Sequence, residues 1–237
     1  MVRAIQPPGV ATHAIPSCGR PLWETFQPTA HMSTRIKIIF HSLYGHIYRM
    51  AEAVAEGARE VADTEVELLQ VAETLPESVL AKMGALETRK AFAHIPVADP
   101  KKLAEADGLL FGSGTRYGSA TSQMQAFFDA TGGLWAKGAL VGKAGGVFTS
   151  SATQHGGQET TLISMQTFLF HQGMVVVGVP YAAKEQMTIA EITGGSPYGA
   201  STITGGEGER MPSANELAIA RYQGRHLAQI AAKLAAT

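Results

Sequence analysis

Apolar and polar positions keep two periods in turn along residues 35–235. Residues 36–40 form a short apolar run that ends at a turn, and residues 65–71 alternate; both are strand signals. Between them Ile47, Met50, Ala51, Val54, Ala58 and Val61 recur at spacings of three and four, which is one face of a helix over residues 47–61. Residues 108–112, 145–149 and 174–179 read as three more strands. Helices are predicted over residues 123–131, closed by Gly132-Gly133, and over residues 158–170, stopping at Gly173. A last helix follows Pro212: Ser213 and Glu216 form a capping box, and Leu217, Ala220, Gly224, Leu227, Ala231 and Leu234 share a face. Five apolar strands separated by helices predict an α/β fold, a doubly wound parallel sheet with helices on both faces. Residues 72–102 and 180–211 exceed ordinary connections, and loops of that length are usually functional.

Residues 1–31 break the pattern. They carry five prolines and sustain no helical or alternating period, so they are expected to be a disordered extension ahead of a domain over residues 32–237, with Met32 as a candidate start. The competing reading is an ordered arm that wraps a neighbouring subunit. Cys18, the single cysteine, falls in this segment, which excludes an intrachain disulfide framework and makes Cys18 a poor nucleophile.

Composition narrows the partners. Nineteen basic and 20 acidic residues give a net charge of −1, so no global field draws the chain to nucleic acid or an anionic membrane. The longest apolar run, residues 174–183, falls short of the roughly 20 residues that span a bilayer. His13, His31, His94 and His226 show no ligand spacing, so no structural metal is expected. The chain reads as a soluble cytoplasmic protein.

Ligands of doubly wound sheets bind beyond the carboxyl ends of the strands. After the first strand come Ser42, Leu43, Tyr44, Gly45, His46 and Ile47, where a hydroxyl, a permissive glycine and free helix N–H groups could cradle a phosphate. An ordinary serine-capped turn would look the same. No G-x-G-x-x-G follows the strand, and residues 138–144 are one residue short of a P-loop, with Ala144 at the Ser/Thr position. The third strand runs into Thr115, Arg116 and Tyr117, which offer donors and a stacking face. The fourth runs into Ser150, Ser151, Ala152, Thr153, Gln154, His155 and Gly156, again small and donor-rich. Three such loops at one edge suit a heterocycle bearing a single phosphate.

SLYGHI at residues 42–47, GTRYG at 114–118, TGGLW at 131–135, GGQE at 156–159, HQGM at 171–174, GSPYGAST at 195–202 and RYQG at 221–224 together resemble the WrbA family of flavodoxin-like NAD(P)H:quinone oxidoreductases. The resemblance spans residues 35–235. It implies a flavodoxin-like five-stranded sheet, one non-covalent FMN per subunit, NADH or NADPH as donor, a quinone as acceptor and a dimer–tetramer assembly. It places the phosphate in residues 42–47, and the ribityl chain and ring along Thr115–Tyr117 and residues 150–156. His171 would reach the flavin edge, Tyr44 the nicotinamide nucleotide and Trp135 the quinone pocket. Tyr198 is the candidate contact from a neighbouring subunit. Gly114 stands where the family has proline, and Ser119-Ala120 where it has Asn-Met, so a looser loop is expected.

In that scheme two electrons pass by a ping-pong route, and His171 either donates a proton to the quinol oxygen or only hydrogen-bonds the ring. Two rivals share parts of it: a flavodoxin-type electron carrier, which would be strongly acidic, and a regulatory binding protein, which would need a partner surface.

Overall fold

The computed structural model describes residues 33–236. Residues 1–31 and Cys18, read above as an extension, lie outside the described residues. Five parallel strands make the body of the sheet: β1 (Thr34–His41), β2 (Thr64–Gln70), β3 (Gly108–Gly114), β4 (Ala144–Ser151) and β5 (Val175–Val176), in the order β2-β1-β3-β4-β5. β3 and β4 are buried along almost their whole length, as parallel strands covered on both faces must be. β2 alternates between half-buried and exposed positions because it is an edge.

Helices α1 (His46–Arg59) and α7 (Ala214–Ala235) cover one face. Their core includes Ile38, Phe40, Met50, Val54, Phe148 and Leu227. The backbones approach closely, since a Cβ on Gly57 would lie 1.9 Å from the Arg221 carbonyl oxygen, and one on Gly224 1.9 Å from that of Val54. The other face packs α4 (Ser122–Asp129) and α6 (Gln158–His171) around Phe111, Met124, Phe127, Leu162 and Met165. Phe128 and Phe168 stack there with ring centroids 3.9 Å apart.

The sequence reading needs three corrections. Gly132-Gly133 do not close a helix; they open α5 (Gly132–Trp135), a single turn. Residues 72–102 are not plain loop, because they hold α2 (Glu77–Lys82) and α3 (Ala85–Lys90). The strand expected over residues 174–179 shortens to Val175–Val176, and a sixth strand, β6 (Ser201–Ile203), pairs with the upper half of β4 instead. The returning chain takes that place: Val179 N–H donates to the Pro197 carbonyl, and Thr149 N–H to the Ala200 carbonyl. Gly199 runs so close to β4 that a Cβ there would sit 2.1 Å from the Val147 carbonyl oxygen.

One carboxylate ties down this excursion. Glu216, at the third position of α7 and fully buried, completes the expected capping box by accepting from Ser213 N–H at 2.8 Å. It also accepts from Gly194 N–H (2.8 Å), Ile203 N–H (3.2 Å), the Thr202 hydroxyl (2.8 Å) and Arg210 Nη1 (2.9 Å). A buried charge with this many donors is compensated, whereas a buried charge without them is expensive. Residues 194–210 therefore form a fixed wall of the carboxyl edge.

Candidate functional site

Strand order reverses between β1 and β3, and a hollow of about 420 Å³ opens there, at the carboxyl edge. Ser42, Leu43, Tyr44, His46 and Ile47 line one wall, Thr115 and Arg116 a second, and Ser150, Ser151 and Ala152 a third. Residues 204–208 close the fourth side, while His41 and Thr121 also border the hollow.

The first wall is a turn. Gly45 takes φ +87°, a left-handed conformation that glycine adopts without steric cost, and its N–H donates to Ser42 Oγ at 3.1 Å. No side chain caps α1, so the N–H groups of its first turn lack a side-chain acceptor on the wall formed by His46 and Ile47. Such a terminus favours an anion. His46 is buried, and its Nε2 meets the Gly208 carbonyl at 3.0 Å, joining the first wall to the fourth.

The second wall is firmer than Gly114 suggested. Thr115 N–H donates to the Ser150 carbonyl, Arg116 and Ser119 exchange backbone bonds, and Thr115 Oγ1 takes the Gly118 N–H and the Thr161 hydroxyl. The expected looser loop is not found, because β4 and α6 hold the turn. Arg116 is exposed and folds back onto the Thr115 carbonyl at 2.8 Å. Hydroxyls, uncapped helix N–H groups and a guanidinium fit a phosphorylated flat ligand; the lone acid on the rim, Glu207, opposes it.

Other residues picked from the sequence stand elsewhere. Tyr117 has φ +51° and is fully exposed, off the hollow. Thr153, Gln154, His155 and Gly156 are exposed too, and Gln154 and His155 border a different depression beside residues 193–196. Trp135 and His171 come together in a separate hollow between α4 and α6 that shares no residue with the first. α6 starts near the carboxyl edge and runs away from it, so His171, its last residue, lies remote from the first hollow. Gln172 lines the same second hollow, with Nε2 on Thr131 Oγ1 at 2.9 Å and its buried Oε1 without a partner.

Sequence reasoning missed His41, Thr121, Met83 and residues 204–208. Only the length of the excursion over residues 180–211 hinted at a role. Burial pushes the His41 imidazole below its ordinary pKa, against the pull of Glu73, and burial likewise lowers His46. Both are thus neutral in the fold and take up protons more readily once unfolded. Their contribution to stability is complete above about pH 6.5 and is lost as pH falls through the depressed folded values. The melting temperature is therefore expected to drop between pH 7.5 and 5. Calorimetry should show a shallower drop in a variant lacking both imidazoles; equal slopes would contradict the assignment.

A parallel sheet in flavodoxin order, with an uncapped helix N-terminus and hydroxyl-bearing loops around a hollow at its switch point, defines a flavodoxin-like protein. Residues 34–188 match the family described as NADPH-dependent FMN reductase, and the chain belongs to that family. It is 68% identical over 200 residues to a protein of Geobacter metallireducens named NAD(P)H dehydrogenase (quinone), covering 84% of this chain and 98% of that one. A protein of the same name from Methanosarcina acetivorans is 61% identical over 205 residues, covering 85% of this chain and 98% of that one. Among solved structures, the flavodoxin, WrbA-like protein from Agrobacterium tumefaciens superposes with a TM-score of 0.59 at 25% identity, covering 85% and 99% of the two chains. Oxidised flavodoxin 1 from Bacillus cereus shares the fold, with a TM-score of 0.54 at 17% identity over 83% of this chain and 98% of that one.

Proposed function

We infer that this chain is an FMN-dependent NAD(P)H dehydrogenase (quinone). The observation that carries this reading is the convergence of an uncapped helix N-terminus and the exits of β3 and β4 on one hollow, in a chain so similar to proteins of that name. Bound there without a covalent link, FMN would supply the two-electron chemistry between NADH or NADPH and a quinone, with nucleotide and quinone using the site in turn.

The chain's own residues bind and orient. Ser42 and the first turn of α1 would hold the phosphate, and Thr115, Arg116 and residues 150–152 would flank the ribityl chain and ring. Tyr44, 39% exposed at the rim with Met83, is available to the nicotinamide nucleotide. Steady-state reduction of benzoquinone by NADH or NADPH, with and without added FMN, tests the reading. Flavin binding without turnover would leave an electron carrier.

His171 and Trp135 serve this chemistry only from another copy of the chain, because their hollow is separate from their own subunit's cradle. Trp135 (60%), Phe170 (64%), Ile163 (46%) and Tyr198 (40%) are exposed, and a dimer–tetramer assembly would cover them. If a neighbour completes each site, FMN must stabilise the larger assembly. Sedimentation velocity at low micromolar protein is expected to shift from dimer toward tetramer on adding FMN; a monomer with full quinone turnover would contradict it. No helix among the described residues is long and apolar enough to cross a membrane. A cytoplasmic setting suits a protein that draws on NAD(P)H and whose single cysteine forms no intrachain disulfide.

A further inference from the structure

Behind the hollow lies a carboxylate that takes no part in lining it. Glu73 follows β2, and its side chain is 10% exposed. Five donors converge on it. Oε2 accepts from Arg89 Nη1 at 3.2 Å and meets His41 Nε2 at 3.1 Å. Oε1 accepts from Gln123 Nε2 at 2.6 Å and from the N–H groups of Thr74 and Leu75 at 2.9 and 3.0 Å. Burial works against the charge, but the bonds from Leu75, His41 and Gln123 outweigh it and hold the carboxyl below its ordinary pKa.

Three of these donors lead to the cradle. Arg89 Nη1 also donates to the Ser42 carbonyl at 2.8 Å, fixing the start of the turn. His41 is the last residue of β1, and its Nδ1 meets Thr121 Oγ1 at 3.0 Å. Thr121 caps α4, and its N–H donates to Ser113 Oγ, which in turn bonds the Gly114 carbonyl at the exit of β3. Gln123 sits in the first turn of α4. A consistent proton arrangement has neutral His41 donating from Nε2 to the carboxylate and accepting the Thr121 O–H at Nδ1. One anion thereby sets the spacing between the exits of β1 and β3 and the head of α4. A merely structural ion pair would need one cation. Here the bonds reach β1, α3 and α4, and His41 and the α4 cap Thr121 border the hollow; networks of this kind act as units.

We propose that Glu73 is a positioning residue for the FMN phosphate cradle, acting through Arg89 on the Ser42 turn and through His41 and Gln123 on the head of α4. The inference rests on the reading of the first hollow as the FMN site. It goes further by assigning a role to a residue that touches no ligand. In Glu73→Gln the amide cannot accept at both positions: its NH2 group would face either the His41 N–H and the Arg89 guanidinium or the Gln123 amide and the Thr74 and Leu75 N–H groups, so the network must reverse its polarity or open. The turn should then lose its setting for a phosphate and keep most of its hold on the ring.

The test compares FMN with riboflavin, which lacks only the phosphate, by fluorescence titration of apoprotein. In Glu73→Gln the FMN dissociation constant is expected to rise at least about tenfold and that of riboflavin less than about threefold. Arg89→Met should show the same split, and in the double variant the rise should fall short of the product of the two single rises, since Glu73 and Arg89 share the route to the Ser42 turn. Equal weakening of both ligands would make Glu73 a general support of the fold, and unchanged affinities would make it inert; either result overturns the proposal. Should Glu73→Gln fail to fold, Arg89→Met, whose side chain is 18% exposed, carries the same comparison alone. A wild-type protein that shows no preference for FMN over riboflavin overturns the cradle itself, and this inference with it. A wild-type preference that both variants retain overturns the inference only.

Discussion

Replacing Ser42 by aspartate is expected to lower FMN affinity about a hundredfold or more while leaving the fold intact. The side chain is buried on the wall of the hollow, and its hydroxyl accepts the Gly45 N–H. A carboxylate can accept the same bond, so the turn loses nothing. What changes is the field. Two negative charges about 4 Å apart repel by roughly 4 kcal/mol at an effective dielectric constant near 20, and about 1.4 kcal/mol is a factor of ten. Ser42→Ala, which removes the hydroxyl without adding charge, should cost far less. Fluorescence titration with apoprotein reads both variants. If FMN binds the aspartate variant as it binds the parent, the phosphate does not sit at this turn.

Gly224→Ala should lower stability by about 3 kcal/mol or more, at the upper end of what overpacking costs. An added Cβ would lie 1.9 Å from the Val54 carbonyl oxygen and 2.8 Å from its carbon, and backbone cannot rotate away as a side chain can. α1 and α7 would have to part along the contact that buries Val54, Ala58, Leu227 and Ala228. For a domain of about 200 residues this corresponds to a fall in melting temperature of roughly 6–12 °C. Gly133→Ala is the control, because nothing lies within 4 Å of a Cβ there. A parent-like melting temperature in Gly224→Ala would mean the two helices can separate without penalty.

The parts of this molecule that announce themselves in sequence are those governed by local rules. β1, β3 and β4 and the helices α1, α6 and α7 follow from apolar period and capping residues, and each boundary came within a few residues. The three loops of the carboxyl edge follow from the doubly wound plan, since the plan dictates which strand ends carry ligand. Other features depend on contacts remote in the chain. β6 exists because residues 196–203 return beside β4, and no local signal separates Ser201–Ile203 from loop. His41 and Glu73 meet across 32 residues, and neither has a motif around it. Motif order grouped His171 and Trp135 with residues 42–47, but the two line a separate hollow, and the direction in which α6 runs sets His171 apart from that turn.

The sharing of β4 has a consequence for the order in which the chain can be built. Its lower edge pairs with β5, while Thr149–Ser151 pair with residues 201–203. Domains emerge from the ribosome amino end first. When residue 151 has left the tunnel, about 50 more residues must follow before anything can cover the unpaired edge of β4's upper half. Glu216, which ties that covering segment down, comes later still, and α7, the partner of the first helix, comes last of all. An unpaired strand edge is a template for pairing with another chain. Until residues 201–203 arrive, the half-built sheet therefore offers the carboxyl edge of β4 to neighbours, and a ribosome that stalls between residues 151 and 203 holds the chain in that exposed form.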